Sequence, residues 1–333
     1  MVENYGLPYT GSKSRIAHWV IDNLPRGRVL IDAFAGGCAI THCALLSQKW
    51  QTIIANDINS KYPQLFADAI HGKYRDERRW ISREDFEQLK SQDAFVACCW
   101  SFGNNLQGYI YSQGIEPYKR ALHYAIVFND FEPMQELMPE VERAVHESIH
   151  WQRNIHDRRV TAQNVIVKTI KRLTGDNYAH QIIQSNPLYK KIRHSNKGAQ
   201  SLERLKHLES LQSLESLERL QSLERLQSLE RLERLQITSQ SYADIDIPDD
   251  AVVYCDPPYH ACDNSLYEGT ANAFDHGAFY DWCVRVSKTN PIFISEYSIE
   301  DERFEIVAEK QKMTSMSSVK SFNVTERLYT VKK

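Results

Sequence analysis

The residues best suited to chemistry are Asp256, Pro257, Pro258 and Tyr259, consecutive and directly after the apolar run VVYC. Two prolines stiffen the backbone, so an acid, a carbonyl and a ring are held in fixed relation. In an open α/β sheet, ligands bind outside the carboxyl ends of the strands. That trio answers one chemical problem. The lone pair of an adenine amino group is delocalised into the ring and attacks poorly until the nitrogen is drawn toward tetrahedral geometry. The Asp256 carboxylate and the Pro257 carbonyl can accept the two amine hydrogens, and Tyr259 can stack on the base. Such an amine is out of reach inside a duplex, so the target would have to be flipped into a pocket.

An activated amine needs an electrophile, and a place for one lies upstream. Asp32, Phe34, Gly36 and Gly37 belong to the segment DAFAGG after the run VLID, and small residues there let backbone approach a ligand closely. The segment is not GxGxxG, which disfavours a pyrophosphate-bearing dinucleotide. Asp57, after a second apolar run, is placed to accept ribose hydroxyl hydrogens. The seven cysteines, at 38, 43, 98, 99, 255, 262 and 283, form no CxxC pair and are read as reduced, buried thiols. No metal is expected.

These groups must be carried by strands. VLID at 29–32, TIIAND at 52–57, VVYCD at 252–256 and PIFIS at 291–295 are apolar throughout, the pattern of parallel strands covered on both faces. RLYTV at 327–331 reads as an edge strand. CAITHCALLSQK, after the glycine pair, has helical composition, so strand, glycine turn, helix and strand open a doubly wound sheet. Strand signals lapse between about 62 and 235 and then resume. The predicted organisation is a sheet domain in two parts, 1–61 and 236–333, interrupted by an inserted region, 62–235.

Net charge is −3, yet residues 151–200 hold ten Lys or Arg against two acids, the signature of a polyanion-facing module or a solvated helical face. From Leu202 to Leu235 a leucine falls at every third position, twelve in all, in a repeat close to SLERLQ. The composition favours helix, with Glu215 to Arg219 and Glu230 to Arg234 at supporting spacing. Period three drifts round every face of a helix, so the segment predicts a helix packed on more than one side. It reads equally as an arm for self- or partner association or as an expansion in a surface connection.

At 42% hydrophobic and 25% charged residues, wholesale disorder and collagen are excluded. No apolar run nears the ~18 residues of a membrane span. The first twenty residues lack the apolar core and cleavage site of a secretory signal. A cytoplasmic protein with no membrane partner is expected.

In order, PYTGSKSRI (8–16), DAFAGG (32–37), NDIN (56–59), an insert, SYAD (241–244) and DPPY resemble the Dam-like family of DNA adenine methyltransferases, phage and prophage members especially. The resemblance implies an α/β fold: a Rossmann-like class I methyltransferase sheet with helices on both faces and an inserted, mainly helical target-recognition domain. It implies S-adenosylmethionine as the cofactor, held by Tyr9, Gly11 and Lys13, by Asp32, Phe34, Gly36 and Gly37, and by Asp57 and Ile58. Tyr242 and Asp244 would lie near the cofactor's adenine, and Asp256 between cofactor and target amine. The implied partner is double-stranded DNA, with Asn104, Asn105 and Tyr109 of SFGNNLQGY as contacts. From the basic block come Lys168, Lys171, Arg172, Lys190, Lys191 and Arg193. The glycine loop reads FAGGC where the family commonly has FxGxG, and the leucine repeat has no counterpart there. Two alternatives remain open: methylation of cytosine's exocyclic amine, and a non-catalytic DNA-binding scaffold built on the repeat.

Overall fold

A computed structural model describes residues 5–9, 11–174, 215–226, 232–259, 274–317 and 320–333. The chain divides into two compact units. The first gathers the described residues of Met1–Asp76, Leu89–Gln107 and Ser222–Lys333, and the second those of Glu77–Gln88 and Gly108–Gln221.

The first unit is built on a seven-stranded sheet in the order β3-β2-β1-β4-β5-β7-β6. Its strands are β1 (Val29–Asp32), β2 (Thr52–Asn56), β3 (Leu235–Thr238), β4 (Val252–Cys255), β5 (Ile292–Glu296), β6 (Phe304–Ser317) and β7 (Lys320–Val331). The first five run parallel, and β7 pairs antiparallel with both β5 and β6. Helices α1 (Ala17–Asn23), α2 (Ala39–Ser47), α3 (Lys61–Ile70), α5 (Ala94–Cys99) and α11 (His276–Val286) flank the sheet.

Every residue of β1 and β4 is buried, as a strand covered on both faces requires. Alternation then assigns the faces. Val29, Ile31, Val253, Cys255, Ile292 and Ile294 pack with Phe279, Trp282 and Cys283 of α11. Leu30 and Asp32 point the other way, where Asp32 meets Thr41 of α2. Two helices start on acids: Asp93 accepts from Phe95 N and Val96 N at α5, and Asp275 from Ala278 N at α11.

One expectation is corrected. RLYTV lies within β7, an interior strand, and the edge position belongs to β6. Glu305, Glu309 and Lys310 break the apolar pattern of FEIVAEKQK, and such charges suit an edge that must not pair further.

The second unit is mainly helical, with α4 (Arg83–Leu89), α6 (Glu116–Phe128), α7 (Glu132–Leu137), α8 (Pro139–Ile149) and α9 (Ile155–Thr174). Leu122, Ile126, Met134, Val141, Val145, Ile149 and Ile166 are all buried. Of the leucine repeat, Glu215–Leu226 form helix α10, whereas Leu232–Arg234 make a 3-10 turn and Leu235 opens β3, so the expected helix does not reach Leu235; residues 202–214 and 227–231, Glu230 among them, lie outside the described residues. Leu217, in the second unit, and Leu226, in the first, are both buried. Glu215 pairs with Lys119 at 3.1 Å, Glu218 pairs with Arg159 at 2.9 Å, and Tyr111 donates to Ser216 Oγ at 3.0 Å.

No helix among the described residues is long and apolar enough to cross a membrane. Among them no group of three or more His, Cys, Asp or Glu is placed to hold a metal ion. Six cysteines are described, all buried and none in a disulfide; Cys262 lies outside the described residues.

Candidate active site

The strand order reverses at β1: the chain steps outward through β2 and β3, then returns to β4 and β5 on the other side. A crevice at the carboxyl ends of β1 and β4 follows from that reversal. It brings the loop after β1 beside the DPPY loop after β4, with Ala33 N donating to Tyr254 O at 2.9 Å.

The glycine loop is tied down residue by residue. Ala35 N donates to Asn56 O at 2.8 Å, Gly36 N to Asp57 Oδ2 at 2.8 Å, and Leu7 N to Gly37 O at 2.7 Å. The glycines serve a close backbone approach, but the approaching group is the amino-terminal segment. A Cβ at Gly36, whose φ is +45°, would lie 2.9 Å from the Tyr9 ring, and one at Gly37 only 2.5 Å from Tyr9 Cβ. Tyr9 also packs edge-on against Tyr62 at 4.6 Å. Gly11 takes a φ of +81°, which suits the turn that follows.

Asp57 accepts a second backbone hydrogen bond, from Asn59 N at 2.9 Å, and burial raises its pKa against the pull of both bonds. A carboxylate holds about four lone-pair sites, so it can still accept hydroxyls. Ile58 beside it is 69% exposed. Phe34 and Tyr242 meet at 5.6 Å between ring centres, with Phe274 completing the cluster, while Asp244 is exposed.

Asp256 is only partly buried. Its Oδ1 lies 2.7 Å from Lys13 Nζ, and the Lys13 side chain is buried. Tyr259, expected to offer its ring to a base, is instead enclosed at 7% exposure. Lys13 Nζ sits 4.5 Å over its ring, Tyr297 packs edge-on at 4.6 Å, and its hydroxyl donates to Glu326. Burial, then the charges of Asp256 and Glu326, push its pKa well up, so the phenol stays neutral. Pro257 is buried and Pro258 half-buried.

Asp32 does not face open space. It is 1% exposed and accepts from Thr41 N at 3.1 Å and Thr41 Oγ1 at 2.7 Å, in the first turn of α2. Burial raises its pKa to about 7 against those bonds, and the Asp256 charge adds to the rise.

Residues 9–131 match the family model described as D12 class N6 adenine-specific DNA methyltransferase. The match spans the amino-terminal part of the chain, which is similar to that family over those residues. The likeness supports, at the family level only, S-adenosylmethionine-dependent methylation of adenine N6 in DNA. No curated protein matches the chain. The matched span includes Tyr9, Lys13, the glycine loop, Asp57, Asn104 and Asn105.

Among the candidate DNA contacts, Asn104 and Asn105 are half-buried in a loop held by Ser101, whose Oγ accepts from Leu106 N at 3.1 Å. Tyr109 is 6% exposed, donates to Ile81 O at 2.7 Å and lies 4.8 Å under the Arg83 guanidinium. Lys168 is exposed on α9. Lys190, Lys191 and Arg193 lie outside the described residues, as do the side chains of Lys171 and Arg172. Two other members of the basic block turn inward: Arg158 is 7% exposed and donates to Asn129 Oδ1 at 2.8 Å, and Arg159 holds Glu218.

Sequence reasoning passed over two buried residues. Asn56 uses its whole amide, donating to Ala33 O and Gln240 O and accepting from Thr238 Oγ1 and Gln240 N, which ties the ends of β1, β2 and β3 together. Its position in NDIN was the available signal. Glu326 had none, being one acid in a polar stretch.

Proposed function

We propose that the chain transfers a methyl group from S-adenosylmethionine to the exocyclic N6 of an adenine flipped out of double-stranded DNA. The observation that carries this reading is the half-buried Asp256 carboxylate, held by Lys13 at the end of β4 beside the glycine loop. The donor set fits the cofactor: Asp57 offers acceptors for ribose hydroxyls, and Phe34 and Tyr242 offer aromatic surface to an adenine. Ile58, exposed beside Asp57, adds apolar surface, and Tyr9, Gly11 and Lys13 close the amino-terminal side. Gly36 and Gly37 shape the loop, Asp32 supports it from below through α2, and Asp244 stands at its rim.

When bound, the cofactor supplies an electrophilic methyl group on a sulfonium. The chain's own part is to prepare the amine. Asp256, oriented by its ion pair with Lys13, accepts one amine hydrogen while the Pro257 carbonyl accepts the second. The nitrogen lone pair then turns out of the ring, and Asp256 is positioned to take up the proton released. Tyr259 acts from below as a fixed neighbour of Lys13.

The mainly helical second unit serves, in this reading, as the target-recognition insert. Its DNA contacts are Lys168, Lys171, Arg172, Lys190, Lys191 and Arg193, and the first unit adds Asn104 and Asn105. The test is to incubate purified protein with S-adenosylmethionine and unmethylated mixed-sequence DNA and map the modified bases. Methyladenine at one motif supports a site-specific enzyme, and scattered methyladenine a relaxed one. Methylcytosine would move the substrate to the other exocyclic amine. Cofactor binding without any methylation would sink the catalytic reading.

A further inference from the structure

Glu326 is 0% exposed, the most costly place for a carboxylate unless charged partners and hydrogen bonds surround it. Topology explains how it comes to lie near Asp256. Strand β7 runs antiparallel to β5, with Leu328 opposite Ser295 and Arg327 opposite Glu296, so Glu326 falls one step beyond the carboxyl end of β5. That is the end of the sheet from which Asp256 emerges after β4.

There it accepts the hydroxyl of Tyr259 and lies 3.9 Å from Lys13 Nζ, which is 2.7 Å from Asp256. One ammonium is thus shared unequally between two carboxylates, with a neutral phenol linking the second carboxylate to the DPPY loop. We propose that Glu326 is a positioning residue, fixing Tyr259 and competing for Lys13 so that Asp256 is held in place while keeping its strength as an acceptor. The proposal rests on the amine-methylating reading of Asp256.

The physical argument is one of charge. Were Glu326 neutral, its pull on Lys13 would be lost and the ammonium would compensate Asp256 more fully, and a more compensated carboxylate accepts an amine hydrogen less well. The phenol of Tyr259 would also lose a charged acceptor. Neither change touches the Asp57 and Phe34 side of the site, and Lys13 stays anchored on Asp256, so cofactor affinity should hold.

The experiment compares wild type, Glu326→Gln and Glu326→Asp in steady-state adenine methylation, with cofactor affinity by calorimetry and folding by thermal melting. Glu326→Gln is expected to lower kcat by about 10- to 100-fold while KM for DNA and Kd for the cofactor stay within about twofold. Glu326→Asp, which keeps the charge, is expected to recover part of kcat. Wild-type kcat in Glu326→Gln would overturn the proposal, as would equal losses in both variants that track a lowered melting temperature. Should Glu326→Gln fail to fold, Tyr259→Phe reads the same link by deleting one hydroxyl, and an unchanged kcat there would overturn it. A wild-type protein that methylates no adenine would remove the underlying reading as well. Active wild type with an unaffected Glu326→Gln removes this inference alone.

Discussion

Two aspartates of one site differ because their surroundings differ. Asp256 keeps part of its surface open and is paired with Lys13, so it is available to a substrate. Asp256→Ala should reduce methyl transfer by about 10²- to 10⁴-fold, the range for loss of a group that handles a proton in the transition state. Cofactor binding should be largely kept, since Asp57 and the glycine loop are untouched; near-normal turnover would disprove the carboxylate's role. Asp32 is shut in, and its pKa rises from 3.8 to about 7. An acid whose pKa is raised on folding holds a proton that the unfolded chain has released. Stability from this group is therefore full below the unfolded value and is lost as pH climbs to about 7, on the order of 4 kcal/mol across the window. Asp32→Asn is neutral throughout. Its stability relative to wild type should improve between pH 5 and pH 8 in denaturant titrations, and a constant gap would count against the shift.

At the scale of elements, the site depends on how closely the amino-terminal segment lies on the glycine loop. Leu7 N reaches Gly37 O, and the Tyr9 Cβ occupies the space a side chain at residue 37 would need. The obstructing atom is next to backbone and cannot rotate aside. Gly37→Ala should then displace the segment bearing Tyr9 and Lys13, costing about 1–3 kcal/mol of stability. Calorimetry should show cofactor affinity reduced about tenfold, at ~1.4 kcal/mol per decade. Unchanged affinity and melting temperature would mean that the segment is not held by this contact.

For the whole molecule, charge separates fold from partner. The basic block looks uniform in sequence, but Arg158 and Arg159 are spent inside the second unit, whereas Lys168 is exposed. Lys168→Ala should weaken DNA binding evenly across sequences and lower the slope of log K against log salt by about one. Arg158→Ala should chiefly lower thermal stability, by about 1–3 kcal/mol, because Asn129 and the Ala125 carbonyl lose their donor. If melting leaves Arg158→Ala untouched and only its salt slope changes, the assignment of its role is reversed.

What residues determine through their neighbours in sequence was legible without coordinates. The runs VLID, TIIAN, VVYC and IFIS are strands because short apolar stretches bounded by turns have little other use, and DPPY follows its strand by simple adjacency. Helix α10 also followed from composition, although the repeat's last leucine, Leu235, opens strand β3 instead. What needed the tertiary structure was everything fixed by partners distant in sequence. Strand β6 is charged and was passed over, β7 is interior because β6 pairs with it, and Tyr109 is buried by Phe86 and Arg83. Glu326 enters the site because an antiparallel strand brings its early residues to the carboxyl end of a parallel sheet. Periodicity records which face of an element is covered, while strand order and pairing direction decide which side chains share a crevice, and those are set by contacts that no local pattern encodes.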